Sequence, residues 1–276
     1  MKYLQLSLLA LLLATITYAS VDTVFIASAS MHKNIKTVVI KPASYKKKNN
    51  NYPVVYLLHG AMGVSTNWII KVPELQTMAD DQDVLIVCPD GSVNSWYFDS
   101  PVDSSYKFET HVGLEVPAYI DANYRTIADR KHRAIAGLSM GGHGAFFLAF
   151  RHTEIFGACG SMSGALDVSL ITRGYDINKR LGDTITNRKY YNDWSVMKVM
   201  EGYNAKDSLS IILDCGQQDF IYGMTKAAHE KMVKLKIPHD YIERPGRHDW
   251  FYWRNAVRYQ LVFFKEYFKR NTPTTL

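Results

Sequence analysis

This sequence predicts a doubly wound α/β fold, a mostly parallel sheet with helices on both faces. Three observations carry that prediction. Apolar, β-branched runs recur along the chain, and three of them (Val54–Leu58, Val84–Cys88 and Ala134–Leu138) are apolar throughout, as suits strands buried on both faces. Helix-prone stretches fall between the runs, and strands alternating with helices build parallel sheets. The 276 residues are 47% hydrophobic and 21% charged, with no internal repeat and no Pro/Ser-rich linker, which fits one domain with a sizeable core.

Taken in order, the elements begin with a leader. Lys2, the apolar run Leu4 to Ile16, and the small residues Ala19 and Ser20 have the layout of a secretory signal peptide over residues 1–20. The apolar run is shorter than the roughly 20 residues of a membrane span, so residues 21–276 are expected as an exported domain with no stable span. Val24–Ala27 and Thr37–Ile40 read as an opening antiparallel pair. The three continuous runs follow, then Ile211–Leu213 and a short strand at Tyr241–Ile242. Helices are expected at Leu114–Ala122, Gly142–Arg151, Met224–Leu235 and Trp250–Lys269. Residues 166–206 are polar and helix-prone, and are expected as a small insertion after the sixth strand. They form either a cap above the carboxyl ends of the strands or an ordinary long connection.

The composition excludes several classes. The formal net charge is +6, but the one basic run, Lys46-Lys47-Lys48, lies in a polar Asn-rich loop. No basic stripe interleaved with aromatics marks a nucleic-acid surface. Cys88, Cys159 and Cys215 are odd in number, lack metal-ligand spacing and each sit in or at the end of a strand-like run. They read as buried thiols. Aromatics make up 13%, either as core or as the lining of a groove for a ring-shaped ligand. There is no Walker A loop, dinucleotide fingerprint, zinc helix or paired-carboxylate context, so neither a cofactor nor a metal is implied.

The sharpest signal is Gly137-Leu138-Ser139-Met140-Gly141, placed after a strand and before a helix. A sharp turn there holds the serine out of the sheet, and the flanking residues must be small because the two backbones nearly touch. Met140 offers an N–H at the helix start, where an oxyanion would form. A serine hydroxyl needs a base. Of nine histidines, His248 is the best placed, in the turn-rich loop between the last strand and the last helix. His143 lies on the serine's own helix and His132 at the far end of the strand. The acid should come from the Asp214–Asp219 region, and Asp219 falls in the loop that faces the site, with Asp214 and Asp193 as rivals. Chain order Ser, acid, His is that of α/β-hydrolases. The loop His59-Gly60-Ala61-Met62-Gly63 should supply a second amide, from Ala61 or else Met62.

These pieces, with Val55-Tyr56-Leu57-Leu58-His59-Gly60, Pro117-Ala118-Tyr119-Ile120-Asp121-Ala122-Asn123-Tyr124-Arg125, Ser139-Met140-Gly141-Gly142-His143-Gly144-Ala145, Cys215-Gly216-Gln217-Gln218-Asp219 and His248-Asp249-Trp250, resemble the esterase D group of α/β-hydrolases. That group takes in S-formylglutathione hydrolases, tributyrin-type esterases, the feruloyl and acetylxylan esterases of carbohydrate esterase family 1, and antigen 85-type mycolyltransferases. The resemblance runs from about residue 22 to 270. It implies Ser139, Asp219 and His248 as a triad, Ala61 and Met140 as oxyanion donors, and Trp68, Trp96 and Tyr97 in loops near the substrate pocket. The expected activity is hydrolysis of short acyl or feruloyl/acetyl esters, of small molecules or carbohydrates. Acyl transfer by the same residues, a formylglutathione-type thioesterase, and a non-catalytic binder on the same fold are the alternatives.

Overall fold

The computed structural model describes residues 20–47, 49–171, 174–204 and 208–272. Apart from Ser20, the expected leader lies outside the described residues. Among them, eight strands form one sheet in the order β1-β2-β4-β3-β5-β6-β7-β8. The strands are β1 (Ser20–Ser28), β2 (Lys33–Lys41), β3 (Val54–Leu58), β4 (Leu85–Pro89), β5 (Arg133–Leu138), β6 (Ala158–Met162), β7 (Ser210–Gly216) and β8 (Asp240–Arg244). β1 and β2 are antiparallel, as are β2 and β4; every later pairing is parallel.

Helices connect them. α1 (Ser44–Lys47), α2 (Asn67–Lys71), α3 (Leu75–Gln82) and α4 (Phe108–Thr110) precede a π turn (His111–Glu115) that leads into α5 (Val116–Asn123). Then come α6 (Met140–Arg151), α7 (Ile177–Leu181), α8 (Arg188–Asp193), α9 (Val196–Val199), α10 (Tyr222–Lys234) and α11 (Trp250–Asn271). None of the helices is long and apolar enough to cross a membrane, among the described residues.

The continuous apolar runs behave as strand alternation requires. Val54, Tyr56 and Leu58 of β3 point into one core with α5, α6 and α10. Val55 and Leu57 point into the other, with α3 and α11. The start of α6 carries Gly141, Gly142 and Gly144, each worth about 1 kcal/mol against a helix. Complete burial of Phe146, Phe147 and Leu148, at about 1.5–3 kcal/mol each, outweighs that.

Not every element is marked in the sequence. β6 is made of Ala158-Cys159-Gly160-Ser161-Met162, too small and too weakly β-branched to stand out. Its small side chains let two helices come close: Gly160 lies against Gln260 and Phe264 of α11, and Ser161 beside Gly142 of α6. The short α2 and α3 also went unread, because few turns carry little periodicity. The described part of segment 166–206, expected either as a cap or as an ordinary long connection, forms short helices anchored to the core. Ile177, Leu181, Tyr191 and Val196 are fully buried, and Trp194 packs on Phe98 at 5.2 Å between ring centroids.

Candidate active site

β5 ends in the turn that carries Ser139. Its backbone lies at φ 54°, ψ −120°, a conformation that side chains with a Cβ adopt only under constraint. The constraint is visible. The Ser139 N–H donates to the Met162 carbonyl at 3.0 Å, and the Ser139 carbonyl accepts from His143 at 3.1 Å and Ala165 at 3.2 Å. The neighbours must be glycine here: a Cβ on Gly137 would lie 2.3 Å from the Gly141 carbonyl oxygen, and one on Gly141 2.5 Å from that of His59.

The other two groups come from loops that are zipped together. After β7 the chain turns tightly, with the Asp219 N–H on the Gly216 carbonyl at 3.1 Å. Gln217 donates to the Arg244 carbonyl and Gln218 to the Gly246 carbonyl, both at 2.9 Å. The loops touch backbone to backbone at Gly216 and Gly246, where a Cβ on Gly216 would lie 2.3 Å from the Gly246 oxygen. Asp249 then caps α11, accepting from the Tyr252 N–H at 2.9 Å, which suits an N-cap aspartate. Held this way, His248 Nδ1 is 3.0 and 2.9 Å from the two Asp219 oxygens. Its Nε2 is 3.0 Å from Ser139 Oγ. With Nδ1–H donated to the carboxylate, Nε2 is left to accept the serine proton.

The two aspartates at the end of β7 have separate surroundings. Burial works against charge on Asp219, but hydrogen bonds from His248, the Ile221 N–H and the Ser163 hydroxyl outweigh it and hold the carboxyl below its ordinary value. It is therefore a carboxylate when it faces the imidazole. Asp214 points elsewhere: it pairs with Arg244 and accepts the Tyr252 hydroxyl. Burial raises it despite both partners. Asp193 pairs with Lys189 on the surface. Ser163, buried and left-handed at φ 48°, is a support for Asp219 that the sequence reading did not single out.

The expected oxyanion donors are the Met140 and Ala61 amides. Met140 is the first residue of α6, so its N–H has no intrahelical acceptor. The Met62 N–H is spent on the Val93 carbonyl at 2.7 Å, so of the two amides expected as donor, Ala61 is the one without a partner among the described residues. His59 shapes the loop from beneath. Its Nδ1 donates to the Gly60 carbonyl, and its Nε2 accepts the Gly91 N–H, both at 2.8 Å. Burial lowers the His59 pKa, which keeps this ring neutral.

A cavity of about 250 Å³ opens over Ser139, lined by Ala61, Met62, Asn67, Tyr175, Trp250 and Trp253 among others. A larger groove of about 680 Å³ between β7, β8 and α11 contains none of the triad residues. Trp68, Trp96 and Tyr97, expected near the pocket, do not line it. All three are fully buried. Trp68 sits under the loop with its indole N–H on the Leu58 carbonyl at 3.0 Å. Tyr97 packs against Gly144 and donates to the His59 carbonyl at 3.0 Å. Trp96 donates to the Tyr175 carbonyl at 3.2 Å. The walls come instead from Trp250 and Trp253, whose i, i+3 spacing directly after His248 puts them on one helix face. Phe220 adds a ring 4.5 Å from that of His248.

Residues 28–264 match the family model "Esterase". The chain is 26% identical over 236 residues to Esterase Rv1288 of Mycobacterium tuberculosis, covering 76% of this chain and 51% of that protein. It thus spans about half the length of that relative. It is 26% identical over 253 residues to an acetyl esterase of Caldicellulosiruptor saccharolyticus, covering 83% and 92%. Among solved structures, a ferulic acid esterase superposes with a TM-score of 0.79 at 28% identity, covering 91% of this chain and 98% of that one. The S-formylglutathione hydrolase (FrmB) of Staphylococcus aureus shares the fold, with a TM-score of 0.78 at 18% identity, covering 90% and 99%. A model matched over most of the chain makes this protein a member of the esterase family.

Proposed function

We propose that the protein is a serine carboxylesterase that releases short or aromatic acyl groups, acetyl or feruloyl, from carbohydrate or small-molecule esters. The observation that carries this is the continuous Asp219–His248–Ser139 chain of bonds at 2.9 to 3.0 Å. Ser139 Oγ attacks the acyl carbon while His248 Nε2 takes its proton. The oxyanion forms against the Ala61 and Met140 amides, at the positive end of α6. The C–O bond to the alcohol then breaks, and His248 returns the proton to the leaving oxygen. Water, deprotonated by His248, splits the acyl-enzyme and frees the acid. Asp219 stays ionised throughout and steadies the imidazolium.

The small volume of the cavity, with Trp250 and Trp253 among its walls, suits a compact acyl group. The names of two similar proteins, an acetyl esterase and a ferulic acid esterase, fit that range. A second reading is acyl transfer to an alcohol instead of water. It is favoured by 31% identity over 172 residues, 59% of this chain and 48% of that protein, to the diacylglycerol acyltransferase/mycolyltransferase Ag85A of Mycobacterium gordonae. We also propose export, on the pattern of residues 1–20; a mature chain starting near Ser20 or Val21 in an exported fraction would support it.

The test is a panel of methyl ferulate, acetylated xylan, tributyrin and S-formylglutathione, run with and without a competing acceptor alcohol. Turnover of the first three that Ser139→Ala abolishes is the expected result. Full activity in Ser139→Ala contradicts the reading, and new ester formed with the acceptor favours transfer.

A further inference from the structure

Among the described residues, Tyr175 is the one that segment 166–206 contributes to the cavity lining, and its placement is constrained from several sides. Its backbone is left-handed at φ 53°, ψ 38°, and Asp176 follows at φ 56°. Two consecutive left-handed residues that both carry a Cβ do not hold that shape unaided. The Trp96 indole N–H donates to the Tyr175 carbonyl at 3.2 Å. The Asn94 amide donates to Asp176 Oδ2 at 2.8 Å, and Lys179 pairs with the same oxygen at 3.2 Å. Trp96 and Asn94 are themselves buried. Trp96 meets His143 edge-on at 5.9 Å, one turn along α6 from Ser139. A chain of packed groups therefore fixes Tyr175 relative to the nucleophile.

The side chain itself is uncommitted. It is 53% exposed, and its hydroxyl has no hydrogen-bond partner among the described residues. A half-exposed ring on a constrained backbone, beside a cavity that Trp250 and Trp253 also line, has the makings of a stacking surface.

We propose that Tyr175 is a specificity-determining contact that stacks on the ring-bearing part of the ester, with Asn94 and Trp96 as its positioning residues. This rests on Ser139 being the nucleophile. Trp96 thus acts on the pocket through Tyr175.

The test compares phenyl acetate (ring on the alcohol side), methyl cinnamate (ring on the acyl side) and ethyl acetate (no ring). Tyr175→Ala should lower kcat/KM about 2- to 12-fold for at least one ring-bearing ester, the range that aromatic pairing supplies, and chiefly through KM. Ethyl acetate should change less than about twofold, and Tyr175→Phe should keep the wild-type preference. Asn94→Ala should reproduce the selective loss and add nothing in the Tyr175→Ala background, because it acts through that ring. An equal loss on all three esters, no loss on any, or loss in Tyr175→Phe would overturn the stacking role. A further loss from Asn94→Ala in that background would overturn the positioning role. Ethyl acetate turnover that survives Ser139→Ala would instead count against the nucleophile, so the two failures are distinguishable.

Discussion

The backbone N–H of Met62 ends on the Val93 carbonyl at 2.7 Å, so of the two candidate amides after β3 Ala61 is the one without a partner among the described residues. Ala61→Pro deletes that donor. Loss of one oxyanion donor costs about 10²- to 10³-fold in kcat, so a fall of that size with KM and Tm nearly unchanged is expected from steady-state kinetics and a thermal melt. An unchanged kcat would remove Ala61 from the oxyanion hole.

Asp219 and Asp214 should separate cleanly by mutation. Asp219→Asn keeps the shape but loses the charge that orients His248, and kcat should drop by about 10⁴-fold with little loss of stability. Asp214→Ala leaves Arg244 and the Tyr252 hydroxyl without their buried partner. Breaking such a pair costs about 3–5 kcal/mol, so a lowered denaturation midpoint is expected. Should Asp214→Asn abolish activity in a stable protein while Asp219→Asn does not, the acid has been misassigned.

Glu74 ties α3 to α11. Hydrogen bonding, first from Arg254 and with smaller help from its own backbone amide and Arg258, pulls its pKa from 4.5 down to about 2 against the opposing effect of burial. A carboxyl depressed on folding stabilises above its ordinary pKa and loses that contribution as pH falls toward the folded value. Both arginines are 52% exposed, so the gain is screened to about 0.5–1 kcal/mol. Glu74→Gln should lower the Tm at pH 6, and the gap should narrow as pH falls from about 5 toward 2. A gap that widens toward acid would contradict the sign.

The three thiols are free and buried. Burial pushes Cys215 up to about 12 and holds Cys88 and Cys159 higher still. A thiol-disulfide reagent at pH 8 should find almost no reactive cysteine in the folded protein and all three after denaturation. Rapid labelling of one thiol in the native state would show a site open to solvent.

Much of this was legible because the signals are local. The turn at Ser139 is written in two glycines and a strand before a helix, and the continuous runs of β3, β4 and β5 announce burial on both faces. Asp219 was separable from Asp214 because one residue is still in the strand and the other is past its end. What could not be read depends on long-range packing. β6 is a strand because helices crowd both its faces, and its own residues hardly demand it. Trp68, Trp96 and Tyr97 were near the site in sequence but face inward. Tyr175 and Phe220 reach the site from loops whose course no short pattern gives. Trp250 and Trp253 had a usable signal, their helical spacing after His248.

The central claim is that Ser139 is the activated nucleophile. Labelling with a fluorophosphonate, followed by mapping of the adduct by mass spectrometry, tests it most directly. One adduct per chain on Ser139, formed much more slowly in His248→Ala and Asp219→Asn and absent in Ser139→Ala, is the predicted result. An adduct on another residue, or no adduct on folded protein that still turns over an ester, would contradict it.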